Sequence, residues 1–152
     1  MKENDDSRTG ETMKFSDLSA EQWAELQPYL DTAILPLTGL SGSEMPHEAT
    51  AVLENLRDVL DLIEGPFKGR VVVYPACHYV KWDDGANEQL AVLCSSLKQV
   101  GFRYVIIAAA FQAPDQDKPI SADMVIGLEN GDVLPSAPAV SEAVRTLWLG
   151  RA

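Results

Sequence analysis

Only two cysteines and two histidines occur in the 152 residues. Two thiols are too few for the disulfide framework of a small secreted domain, and one of them, Cys94, falls on an apolar helical face. A disulfide is not expected, and a reducing compartment fits. Basic residues are scarce as well. Twelve Lys and Arg stand against 23 Asp and Glu, giving a formal net charge of -11. Nucleic acid is excluded as a partner, because phosphate backbones need clustered Lys and Arg and those here are scattered. Anionic membrane surfaces are disfavoured for the same reason. The acidity reads first as solubility and self-repulsion, and second as a match for a basic protein partner. No apolar run approaches the roughly 20 residues of a membrane span, and Met1-Lys-Glu-Asn-Asp-Asp-Ser lacks the charged-then-apolar build of a signal peptide. No membrane insertion and a cytoplasmic location are therefore expected. The chain also lacks a phosphate-cradling loop. Pro36-Leu-Thr-Gly, Pro75-Ala-Cys-His and Ala109-Ala-Phe-Gln follow its apolar strands, and none has the glycine spacing of a nucleotide site. No cofactor is expected.

What is present is an ordinary globular composition, 46% hydrophobic and 23% charged. Residues 1–14 are polar and without period and read as a disordered tail; residues 15–152 read as a single α/β domain. Ser19 and Gln22 have capping-box spacing, predicting a first helix that ends near Pro28. Asp31–Leu37 is a short strand, with Pro36 limiting pairing near its end. A long helix follows with Pro46 in its first turn and an apolar stripe of Val52, Leu56, Val59, Leu60 and Ile63; Gly65 closes it. Arg70–Tyr74 is the next strand. A helix from about Ala86 to Val100 carries Leu90, Leu93, Cys94 and Leu97 on one face. Phe102–Ala110 is the third and most apolar strand, and a fourth runs around Ala122–Leu128. The turn Asn130-Gly131 suggests a short returning strand at Val133-Leu134. Ser136–Leu149 is an amphipathic closing helix. Continuous apolar strands separated by helices imply an α/β three-layer sandwich, with a small, mostly parallel sheet of four or five strands built from successive βαβ units.

Chemistry concentrates at the end of the second strand. Cys77, His78 and Tyr79 follow Pro75 there, with Trp82 and Asp83 just beyond. In the functional reading His78 is an acid/base or ligand, Cys77 a thiol whose pKa is lowered by a helix N-terminus, and Trp82 a pocket wall. The plainer reading is a loop in which Cys77 packs and His78 bonds a carbonyl, since neither a Cys-x-x-Cys nor the third member of a triad is identifiable. Glu44 and His47 form a second cluster. Their i, i+3 spacing can deliver two ligands to one metal, but Glu is also favoured in a first helical turn. His78 or Asp83 would have to complete the set. Asp115 and Asp117 lack the rest of a calcium loop and read as turn residues.

Asp31-Thr-Ala-Ile-Leu-Pro-Leu37 and Val71-Val-Val-Tyr-Pro-Ala-Cys-His78, with Phe15-Ser-Asp-Leu18 upstream, resemble the YpiF-like family of bacterial proteins of unknown function. That family is often encoded beside menaquinol–cytochrome c reductase, and the resemblance implies an accessory role there without naming catalytic residues. A more distant likeness concerns fold. Leu35-Pro36, Glu44, His47 and Gly101-Phe-Arg-Tyr-Val-Ile-Ile107 are similar in order to the amino-terminal half of creatininase-like amidohydrolases. Those enzymes bind metal through a Glu-x-His and a later Asp, followed by a His-rich turn. Here Ala108-Ala-Ala-Phe-Gln-Ala113 replaces that turn and Glu44-x-x-His47 is one residue too long, so the likeness implies the fold with its metal chemistry lost.

The resulting expectation is a non-catalytic domain that binds a protein or small ligand at the carboxyl ends of its strands, through Glu44, His47, Cys77, His78, Trp82 and Asp83. A homo-oligomer is possible. The alternative is a metal-dependent amidohydrolase that uses Glu44, His47, His78 and Asp83.

Overall fold

Side-chain alternation along three apolar strands dictates two buried faces, and both are filled. The structure is a computed structural model describing residues 14–79, 84–113 and 121–150, with 84–87 described by backbone alone. Four strands, β1 (Thr32–Leu37), β2 (Val71–Val73), β3 (Tyr104–Ala109) and β4 (Met124–Ile126), form one sheet in the order β2-β1-β3-β4. Every pairing is parallel. Among the described residues four α-helices flank it: α1 (Ala20–Leu26), α2 (Pro46–Glu64), α3 (Asp84–Val100) and α4 (Ala137–Trp148).

On one face Ala33, Leu35, Leu37, Val105 and Ile107 pack with Leu90, Cys94 and Leu97 of α3, and Trp23 and Leu26 of α1 close the layer. On the other, Ile34, Val71, Val73, Ile106 and Ala108 meet Val59 and Ile63 of α2 and Val140, Val144 and Leu147 of α4. Each fully buried Ile or Val contributes roughly 1.5–3 kcal/mol. The helices begin where their caps are written. Ser19 Oγ accepts the Gln22 N–H at 3.1 Å and Gln22 Oε1 accepts the Ser19 N–H at 2.9 Å. Ser136 Oγ accepts the Ala139 N–H at 3.2 Å.

Pro36 sits in a central strand, where a missing N–H ordinarily breaks a ladder. It is tolerated for a local reason. Residues of even number on β1 bond toward β2, as in Tyr74 N–H to Ile34 carbonyl and Cys77 N–H to Pro36 carbonyl. The missing donor therefore faces β2, where β2 itself is interrupted at Pro75. Pairing to β3 continues undisturbed through Pro36 and Leu37.

Three expectations change: Leu93, expected on one face of α3 with Leu90, Cys94 and Leu97, is 41% exposed while those three are buried. The fourth strand is three residues long, and Val133-Leu134 forms no strand, only a single antiparallel bridge between Glu129 and Val133. Asn130 and Gly131 do make the turn, both at positive φ. Pro135 and the start of α4 then leave no room for a ladder to grow.

The amino-terminal edge is stapled. Arg70 grips Asp31 with two bonds of 2.9 and 3.0 Å and lies 3.8 Å over the Trp148 ring. The Trp148 indole N–H donates to Thr32 Oγ1 at 2.9 Å. No helix among the described residues is long and apolar enough to cross a membrane.

Candidate functional site

The chain leaves β1 for β2 on one side and returns through α3 to β3 on the other. The helices of these two connections lie on opposite faces, so β1 and β3 flank a topological switch point. Open α/β sheets place ligands outside the strand ends at such a point. Here that position is filled. The Phe111 ring, from the end of β3, lies against Gly39, from the end of β1. A Cβ at Gly39 would stand 2.5 Å from the ring, and Gly39 holds φ at +75°. Only glycine meets both demands without strain.

Beside this plug lies the strand end that carries Cys77 and His78. Pairing of β1 with β2 stops at Ile34–Val73 and resumes as a bridge between Leu37 and Cys77. Between these points the β2 side has one residue more, which makes a bulge at Pro75-Ala76. Bulges re-aim side chains. The extra residue turns Cys77 onto the α1/α3 core face. Burial raises the Cys77 pKa, the reverse of the lowering expected from a helix N-terminus. Apolar surroundings outweigh any helix end there, and the thiol is suited to packing. Both cysteines are free.

Thr38 is the hub of this corner. Its hydroxyl, 2% exposed with the rest of the residue, donates to the Cys77 carbonyl at 3.2 Å and accepts the Leu40 N–H at 3.4 Å. His78 Nδ1 lies 3.2 Å from the same oxygen. With the hydroxyl proton on the carbonyl, that contact needs a proton on Nδ1. The imidazole is exposed and held at one point.

Glu44 is committed to its own loop. Its carboxylate accepts the Ser41 N–H at 2.9 Å, the Gly42 N–H at 3.0 Å and the Ser41 hydroxyl at 3.1 Å. These bonds, led by the Ser41 N–H, hold its pKa below the ordinary value. An internal carboxylate thus takes backbone donors that an anionic ligand would use before a helix. His47, one residue into α2, is exposed. Trp82 and Asp83, with Asp115 and Asp117, lie outside the described residues. Among the described residues no three His, Cys, Asp or Glu gather closely enough to hold a metal ion. Thr38 joins His78 to the Cys77 backbone; no bond links Glu44 or His47 to them among the described residues.

Open space lies farther along the same edge. A cleft of about 540 Å³ is bounded by Gln112 and Ala113 after β3, by Val125–Asn130 along and after β4, and by Pro135, Ala139, Val140 and Ala143 at α4. Gln112 Oε1 accepts the Gly131 N–H at 2.8 Å, tying the two loops that frame it. Gly127 permits this approach, since a Cβ there would lie 2.4 Å from the Phe111 carbonyl. Apart from Asn130, none of these residues stood out in the sequence. They carry little reactive chemistry and come from three distant segments. The one legible sign was Asn130-Gly131, which marked the turn at the rim.

Fold and site together define a doubly wound parallel α/β domain with a plugged switch point and an open cleft beside it. The chain belongs to the family described as Protein of unknown function (DUF2487), whose model matches residues 21–125. That span takes in β1, β2 and β3 and all of β4 but Ile126, and ends before α4. No curated protein and no solved structure matches the chain.

Proposed function

We propose that this domain is a non-catalytic binding module whose ligand enters the cleft between the ends of β3 and β4 and helix α4. The carrying observation is the cleft itself. Its 540 Å³ falls within the roughly 300–1,000 Å³ usual for small-molecule sites. Val125, Leu128, Val140 and Ala143 offer an apolar wall, while Glu129, Asn130 and Gln112 offer polar groups at the rim. That lining, more polar than apolar over its exposed surface, in a chain of net charge -11, favours a donor-rich small molecule that carries a cationic head on a short apolar stem.

The test is amide chemical-shift mapping with a panel of aryl-alkyl amines and matched carboxylic acids. Amines are expected to shift Val125, Leu128, Ala139 and Ala143, and Ala143→Phe is expected to abolish those shifts by filling the space. Shifts that cluster on His78 instead, or none with either panel, overturn the reading. The YpiF-like resemblance extends it to an accessory role around menaquinol–cytochrome c reductase. That extension rests on gene neighbourhood, and unchanged reductase assembly in a deletion strain sinks it. The amidohydrolase alternative requires stoichiometric zinc or manganese in the purified protein, lost in a His47→Ala/His78→Ala variant.

A further inference from the structure

We propose that Asn130 is a site of spontaneous deamidation, and that Gln112 guards it by holding the Gly131 N–H. Asparagine before glycine is the pair through which a chain most readily attacks itself. Glycine has no Cβ to obstruct the approach of its backbone nitrogen to the preceding side-chain carbonyl carbon. Of the four asparagines in the chain, Asn4 precedes Asp, Asn55 precedes Leu and Asn87 precedes Glu; Asn130 alone precedes Gly.

The fold presents this pair openly. Glu129 and Val133 exchange two backbone bonds of 2.6 and 2.8 Å, and Asn130, Gly131 and Asp132 form the loop between them. All three loop residues are exposed. Asn130 and Gly131 hold φ at +50° and +94°, and a Cβ built on Gly131 would meet nothing within 4 Å. The turn is open to water.

One contact opposes the reaction. The Gly131 N–H donates to Gln112 Oε1 at 2.8 Å. Ring closure requires that nitrogen to give up its proton. Its electron pair then attacks Asn130 Cγ, an N–Cγ bond forms, and the bond from Cγ to the side-chain nitrogen breaks with release of ammonia. Water opens the resulting succinimide at either carbonyl and leaves aspartate or isoaspartate at position 130. One water is consumed for each ammonia released. A proton engaged with Gln112 is harder to remove, and the tie limits how far the nitrogen can move. Gln112 stands 19 residues earlier in the chain, so the guard exists only in the folded protein. Either product adds a carboxylate between Glu129 and Asp132, at the rim of the cleft that Asn130 lines. Isoaspartate also lengthens the backbone inside the loop that the Glu129–Val133 bonds close.

The test incubates the full chain in mildly alkaline buffer and follows conversion of Asn130 by peptide mass spectrometry, beside a synthetic peptide spanning Gly127–Val133. Wild type is expected to convert more slowly than the peptide. Gln112 is exposed, so its replacement leaves the core untouched. Gln112→Met, of similar length without the acceptor, should convert about three- to tenfold faster than wild type, the range of one ordinary hydrogen bond. Gln112→Glu restores an acceptor and should return the rate to that of wild type or below. Should Gln112→Met disturb the fold by circular dichroism, Gln112→Ala is the second variant without an acceptor. Conversion of the acceptor-free variant at the wild-type rate overturns the proposal. So does a wild-type rate equal to that of the peptide, or conversion at Asn55 or Asn87 ahead of Asn130.

Discussion

The carboxyl edge of the sheet has two halves that divide chemistry from space. The β1/β2 half holds the reactive side chains, and nearly all are engaged. Cys77 is turned into the core, Glu44 caps its own loop, His78 rests on Thr38 and Phe111 plugs the switch point. The β3/β4 half holds few reactive groups and a cleft of about 540 Å³. Reactive residue types therefore mark where a loop needed fixing, and the open volume lies where small residues let elements stand apart. Ala139 and Ala143 on α4 leave space that longer side chains would fill.

The sharpest way to break this division is Gly39→Val. It forces a β-branched residue to positive φ and drives its Cβ into the Phe111 ring, a loss of about 3 kcal/mol read by urea unfolding. A cost under 1 kcal/mol would mean that the plug moves readily and the switch point is available to ligand. Thr38→Val should cost about 1–2 kcal/mol by removing a buried hydroxyl's bonds. It should also release the His78 ring, visible in imidazole NMR, while amine shifts in the cleft persist. Loss of those shifts would show that the two halves are coupled.

Cys77 provides a smaller test. Its raised pKa leaves less thiolate at neutral pH, so alkylation by iodoacetamide should be slower than for a cysteine peptide. Faster alkylation would restore a nucleophile to this corner. The smallest effect belongs to Glu44. Its lowered pKa means that ionised Glu44 stabilises the fold above the ordinary carboxylate value, and that this contribution fades as pH falls through its own lower value. Glu44→Gln should thus melt earlier than wild type near neutrality, with the gap closing in acid. A gap that persists in acid would show that the Ser41–Glu44 loop does not depend on the charge.

Much of the frame was readable because it rests on local rules. The Ser19–Gln22 box, Pro46 at a helix start and the stripe Leu56, Val59, Ile63 all sit where their spacing put them. Asn130-Gly131 made its turn, yet the strand expected after it fails because Pro135 and α4 intervene. At the site, legibility was poorer. His78 and Cys77 attracted notice by residue type, whereas their orientation depends on one extra residue opposite β1.

By itself the sequence determined an acidic α/β sandwich with parallel strands, since hydrophobic period, caps and prolines act over a few neighbouring residues. Tertiary structure decided the order β2-β1-β3-β4, the bulge that turns Cys77 inward, the plug of Phe111 on Gly39 and the cleft against α4. The physical reason is distance along the chain. Register, close approach and empty volume arise only when segments tens of residues apart meet, and no local pattern encodes the space left between them.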